Sequence, residues 1–246
     1  MIIAEVGLNH LGDAQLAMSY VNELIKTDID SVTFQARESV FYEKNWNGIN
    51  LKLDDSIYIN AANKLHSSGK KLGIAIADIN YIDFFEKIGV DFYKVIRNDI
   101  TNFDLMDKLK KTGKEVFVST GLSSEREISN FVKHINGYKN FKLNHTQLSY
   151  AIEDCNLKAI KIMQLQYGLY VSFGSHCLDK RVLYMSLAYN PSDIFFYVKF
   201  KKDISYPDSI HAISIEEVSK MTKSLKTLRK AIGTGKKFEM ENKMEE

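Results

Sequence analysis

Short apolar runs, each closed by turn residues, alternate along the chain with longer stretches whose apolar residues recur every three or four positions. The runs predict eight strands, at Ile2–Val6, Ser31–Gln35, Leu72–Ala77, Phe92–Ile96, Val116–Ser119, Phe141–His145, Tyr170–Ser172 and Ile194–Phe200. The stretches between them predict helices over Ala14–Lys26, Ser56–Ser67, Tyr81–Ile88, Asp104–Lys111, Glu125–Ile135, Asn156–Gln166, Lys180–Ala188 and Ile215–Ile232. In the last of these, Val218, Met221, Leu225, Leu228 and Ile232 share one helix face, as burial against a sheet requires. Such alternation implies a parallel sheet. Eight units imply closure into a barrel, because an open sheet would leave unpaired edges. The expected fold is α/β: a single-domain (β/α)8 TIM barrel over residues 1–233, followed by a charged tail over 234–246. A doubly wound sheet is the competing architecture, but the first βα turn reads GLNHLG and lacks the GxGxxG phosphate turn.

One other region stands outside the alternation. Ala36–Leu53, with Phe41, Tyr42 and Trp46, reads as a long βα loop that covers a substrate or packs on a neighbouring helix. Composition adds exclusions. Lys plus Arg number 33 against 31 Asp plus Glu, so no strong field draws nucleic acid or an acidic membrane surface. Cys155 and Cys177 have no metal-ligand spacing and form no disulfide framework. No run approaches the roughly 20 apolar residues of a membrane span, and the N-terminus lacks the pattern of a signal peptide. A cytoplasmic protein is expected.

The chemistry gathers at the strand ends. In a barrel, polar residues at the C-terminal tips of the strands converge on one mouth. Here they are Glu5, Asn9 and His10 after the first strand, Gln35 and Arg37 after the second, and Lys94 and Arg97 at the fourth. Ser119 and Thr120 follow from the fifth, His176 from the seventh and Lys199 from the eighth. His145, on the sixth, could equally be a satisfied core histidine, and Ser119-Thr120 could cap the next helix. Lys94 lies inside the strand Asp91–Ile96, and a lysine buried there must be paired or functional. Cations, hydroxyls and a carboxylate around one mouth describe a pocket for an anionic substrate with a general base beside it.

The order of these motifs resembles the sialic acid synthase family, the N-acetylneuraminate synthases and their pseudaminic and legionaminic relatives. The similarity begins at IIAEVGLNHLGD and runs through TFQAR, FFEKIGVDFYKV, VSTGL, NHTQLSY, EDCNLKAI, GSHC, VKF and YPDSIHAISIEEV. It implies a barrel enzyme that joins phosphoenolpyruvate to an N-acetylated amino sugar, with a divalent metal (Mn or Mg) holding the open-chain aldehyde. By position, Glu5 resembles the acid beside the reacting carbons and Gln35 a substrate-contacting glutamine. Lys94 and Ser119 resemble groups that grip phosphoenolpyruvate. Tyr150 and Asp208 resemble sugar contacts, and His176 one of two metal-binding histidines. With Asn9, His10, Arg37, Arg97, Thr120 and Lys199 these complete the candidate site, in which Glu5, Lys94 and His176 are expected to be catalytic.

Five departures accompany the resemblance. The family's KFQ is Thr33-Phe34-Gln35, so one phosphate-binding lysine is missing. Its lysine-x-x-serine is Lys94-Val95-Ile96-Arg97, and Arg97 or Arg37 would have to supply the lost charge. The acid expected before His176 is Ser175, and the second metal histidine falls at Lys199 or Phe200, which argues against a retained metal. The family's C-terminal antifreeze-like domain, which in relatives reaches the sugar pocket from the partner of a homodimer, is expected to be absent. Three functions therefore remain open: a synthase, a diverged non-catalytic barrel that binds a sugar or regulates a synthase, and a metal-independent lyase or aldolase using Lys94 or Lys199 as a Schiff base.

Overall fold

Strand β1 (Ile2–Gly7) lies between β2 (Ser31–Ala36) and β8 (Ile194–Lys199), and this first-to-last pairing closes the sheet. Between them, in order and parallel throughout, run β3 (Lys71–Ile76), β4 (Phe92–Val95), β5 (Glu115–Ser119), β6 (Phe141–Thr146) and β7 (Val171–Ser175). The computed structural model describes residues 1–44, 48–96, 99–200 and 205–237. Helices α1 (Ala14–Leu24), α3 (Asp55–Ser67), α4 (Ile82–Lys87), α5 (Phe103–Lys111), α6 (Glu125–Ile135), α7 (Lys158–Tyr167), α8 (Arg181–Ser186) and α9 (Ile215–Ala231) connect the strands, with the short helix α2 (Ser39–Glu43) after β2. This is a (β/α)8 barrel, as the alternation predicts.

The differences from expectation are local. The loop expected over Ala36–Leu53 contains α2, which is tied back to the end of β2 where the Arg37 N–H donates to Tyr42 Oη at 3.0 Å. Trp46 lies outside the described residues, as do 238–246 of the expected tail. The seventh strand runs three residues beyond Ser172, because Ser172, Gly174 and their neighbours pair in register with β6 and β8 despite their weak apolar character. Asn156, expected to open α7, instead adopts φ 41° and ends the preceding 3₁₀ turn. A two-residue strand, β9 (Ile213–Ser214), was not expected; it pairs with Val198 and Lys199 at the tip of β8.

Two apolar clusters hold the molecule. The larger fills the space between the sheet and the helices. The smaller, Ile3, Phe92, Phe117 and Phe195, plugs the barrel itself. Phe117 meets Phe92 and Phe195 edge to face, with ring centroids 5.4 and 5.0 Å apart. Gly73 on β3 makes room for this plug: a Cβ there would lie 2.2 Å from the Phe92 ring. No helix among the described residues is long and apolar enough to cross a membrane.

Candidate active site

Strand side chains alternate with a period of two. Two residues beyond Ile3, Phe92, Phe117 and Phe195 stand Glu5, Lys94, Ser119 and Tyr197, so the apolar plug is the floor of a polar layer at the C-terminal mouth. Lys94 and Glu5 are 5% and 2% exposed, and Lys94 Nζ donates to Glu5 Oε1 at 2.5 Å. The ammonium also lies over the Phe195 ring, 4.9 Å from its centroid. Thr33, the register neighbour of Glu5 on β2, carries an uncharged hydroxyl and brings no second cation here, and that buried hydroxyl has no partner. An ammonium has three N–H donors. The pair with Glu5 is the hydrogen bond that Lys94 makes at its inner side, and the cavity lies at its outer side.

That cavity, about 400 Å³, is lined on the Lys94 side by Gln35, Arg37, Ser119 and Ile96. Arg37 lies at the rim, stacked over Phe41 at 4.2 Å and paired with Glu38 at 3.1 Å. The opposite wall is built of Thr146, His176, Tyr197, Asp208, His211 and Tyr150. Thr146 Oγ1 and His176 Nδ1 are 3.0 Å apart, which fixes the His176 ring. The His176 and His211 rings lie 4.6 Å apart, with Tyr197 edge-on to His211 at 5.0 Å. His211 is nearly buried, yet neither of its nitrogens has a hydrogen-bond partner. An unpaired buried polar group costs on the order of 1–3 kcal/mol. Burial, with Lys199 and Lys94 adding repulsion, pushes its pKa down to about 4, so the ring is neutral. Asp208, 4.0 Å from His211 Nε2, is pushed up to about 7, first by burial and then by the charge of Glu5.

The turn that carries Asp208 and His211 is pinned over the mouth. Strand β9 anchors its far end on β8. The Asp208 N–H donates to Asn9 Oδ1 at 3.1 Å, and Asn9 Nδ2 donates to the Val198 carbonyl at 2.9 Å. Lys199 Nζ donates to the Ser209 carbonyl of the same turn. Gly7, at φ +57°, is required beneath it: a Cβ there would lie 2.9 Å from Tyr197 and 3.3 Å from Asp208.

The candidates thus divide. Gln35, Lys94, Ser119, His176 and Asp208 meet at the cavity, with Glu5 paired to Lys94 beneath it and Arg37 and Tyr150 at its edge. Asn9 and Lys199 hold the turn instead of lining the cavity. His10 is fully buried beside Phe34, accepts from the Gly12 N–H at 3.0 Å and keeps a pKa near 4 through burial. Thr120 faces the Asn144 carbonyl. Arg97 lies outside the described residues. His145 is a satisfied core histidine, its Nε2 3.0 Å from the Cys155 carbonyl. Sequence reasoning missed Tyr197 and His211. Tyr197 was legible as the residue two beyond Phe195; His211 lies in a turn that no strand periodicity reaches.

A divalent cation of the Mn or Mg kind takes several ligands, mostly oxygen. Among the described residues no group of three or more His, Cys, Asp or Glu could hold one. His176 and His211 adjoin, but the Lys199 ammonium near His211 repels a dication, and the family's second metal histidine falls at Lys199 or Phe200. The residues present do not fit a protein-built divalent site.

A model of the NeuB family matches residues 17–237. Over 97% of its length the chain is 31% identical to an uncharacterized protein of Methanocaldococcus jannaschii, covering 74% of that relative. It is 26% identical to the N,N'-diacetyllegionaminic acid synthase of Campylobacter jejuni, over 96% of this chain and 78% of the relative. In fold it matches the N-acetylneuraminic acid synthetase of Leptospira borgpetersenii, solved in complex with citrate, with a TM-score of 0.89, 24% identity, and coverage of 97% of this chain and 87% of that one.

Proposed function

The chain belongs to the NeuB family, and from that premise we propose that it is a nonulosonic acid synthase joining phosphoenolpyruvate to an open-chain N-acetylated amino sugar. The observation that carries this reading is the buried Glu5–Lys94 pair at the floor of a mouth cavity shared with Gln35, Ser119 and His176. The remaining N–H donors of Lys94, with Ser119 and Gln35, would hold the phosphate and carboxylate of phosphoenolpyruvate, and Arg37 would close the rim. Its C3 then attacks the aldehyde carbon. The C=O π pair moves to the aldehyde oxygen, which takes a proton. Water adds at C2, its proton going to Glu5 or solvent, and inorganic phosphate leaves. Asp208 and Tyr150 would face the sugar. No step is routed through a metal.

Neither alternative is as well supported. A Schiff base needs a free amine, whereas Lys94 is held by Glu5 and Lys199 by the Ser209 carbonyl. The non-catalytic reading draws on Thr33, which leaves Lys94 as the lysine of the floor, already paired with Glu5, and on the lack of a divalent site among the described residues. The test is to incubate the protein with phosphoenolpyruvate and N-acetylmannosamine or its diacetamido relatives, following phosphate and 2-keto acid together. The reading expects both in equal amounts with at least one sugar. Phosphoenolpyruvate that binds and is never consumed would favour the non-catalytic barrel. Pyruvate trapped covalently by borohydride would favour the lyase.

A further inference from the structure

Among the described residues that line the cavity, His211 alone has all its polar side-chain atoms buried and without a partner. A neutral imidazole brings one N–H donor and one bare acceptor nitrogen. Left unpaired in a folded protein, such a group needs an explanation, and a ligand that completes it is a physical one. The ring is not there by accident of loop packing. Its turn is held at Asp208 by Asn9, at Ser209 by Lys199 and at Ile213 by the β8–β9 pairing. Both His176 and Tyr197 lie against it, and all three rings line the same cavity.

We propose that His211 is the group that hydrogen-bonds the aldehyde oxygen of the acceptor, beside His176, and that this direct contact stands in place of a protein-bound divalent cation. The inference rests on the synthase reading for its substrate. Lys199, one of the two positions at which the family's second histidine falls, is then a positioning residue: its ammonium holds the turn that delivers the imidazole. As the new C–C bond forms and the C=O π pair moves to oxygen, the N–H stabilises the developing negative charge, the preorganised-donor role that hydrogen-bond donors fill in carbonyl chemistry. The Lys199 ammonium near the ring favours that oxyanion by the same field that disfavours a dication.

Two readouts independent of turnover test this. Manganese(II) is titrated into metal-stripped protein and followed by electron paramagnetic resonance of the free ion. The wild type is expected to leave the free-ion signal unchanged, while Lys199→His, which restores the missing imidazole, is expected to reduce it. Stoichiometric manganese binding by the wild type, lost in His211→Gln, would overturn the proposal. The second readout is nitrogen-15 NMR of the metal-free protein with labelled histidines, His211 being assigned by its absence in His211→Gln. Added glycolaldehyde, the smallest hydroxyaldehyde, is expected to shift the His211 resonance and leave that of surface His66 in place. An unmoved His211 resonance would overturn the proposal equally. Phosphoenolpyruvate binding is measured separately by calorimetry, so a failure of the synthase reading shows there and not in these two results.

Discussion

The two walls of the mouth solve the burial of polar groups in opposite ways. On the β1–β4 side, Glu5 and Lys94 neutralise each other at 2.5 Å within a barrel plugged by aromatic rings. On the β7–β8 side, His211 keeps both nitrogens unpaired, and Asp208 is held near neutrality at a pKa of about 7. The first wall pairs its charges internally and still offers the remaining Lys94 donors to the cavity. The second keeps His211 unpaired until something is bound. The stability set by the first wall and the ligand dependence of the second are therefore expected to separate along this line, and each prediction tests that separation.

The largest effect is expected at Glu5. Glu5→Gln leaves the Lys94 ammonium buried without its counter-charge, which typically costs about 3–5 kcal/mol. In urea denaturation the variant should unfold correspondingly earlier. It should also lose turnover, and it should bind phosphoenolpyruvate more tightly than the wild type, because the anion then pairs Lys94 without competition. A variant as stable as the wild type would show that the pair contributes nothing to the first wall.

Next comes the clamp between the walls. Asn9→Ala strands the Val198 carbonyl and the Asp208 N–H, at a cost of about 2–3 kcal/mol. Hydrogen exchange should rise in the 205–214 turn more than in β4 or β5. Uniform exchange across the barrel would mean that Asn9 serves the whole fold and not the turn.

The pH dependence is smaller and has a defined sign. His10 and His211 have folded pKa values of about 4, below the free value of about 6.5, so the stability they contribute is complete above that and is lost as pH falls toward 4. Asp208, raised to about 7, acts oppositely: its contribution is complete below about 4 and is lost as pH rises through 7. Between roughly pH 4.5 and 6.5 the unfolded chain holds two protons on these groups and the folded chain one. Their combined effect is a rise of about 1 kcal/mol per pH unit. Asp208→Asn should about double that slope in urea titrations at several pH values; an unchanged slope would contradict the raised carboxyl.

The smallest effect is a gain. His211→Leu removes an unpaired buried imidazole and should stabilise the fold by about 1 kcal/mol while weakening acceptor binding. A loss of stability would make His211 a structural residue of the second wall.

How much of this was legible beforehand follows from where each residue sits. The barrel was, because the apolar runs and helical faces repeat eight times. Glu5 and Lys94 were visible as charged groups in apolar strands, but their pairing, 89 residues apart in sequence, depends on barrel closure. Asn9 was legible as a polar residue of the first βα turn, but its partners, Val198 and Asp208, meet it only after β8 returns to β1. His211 was hidden for a different reason. It lies beyond the last strand, in a turn held by β9 and by hydrogen bonds to Asn9 and Lys199, none of which leaves a periodic trace.

The central claim is that the first wall presents Lys94 to an anionic substrate. The most direct measurement is calorimetric titration of metal-stripped wild type and Lys94→Met with phosphoenolpyruvate, with and without manganese. One site is expected in the wild type, insensitive to manganese and weakened at least about tenfold in Lys94→Met, as loss of a charge-assisted contact implies. No binding by the wild type under either condition, or equal binding by the variant, would contradict it.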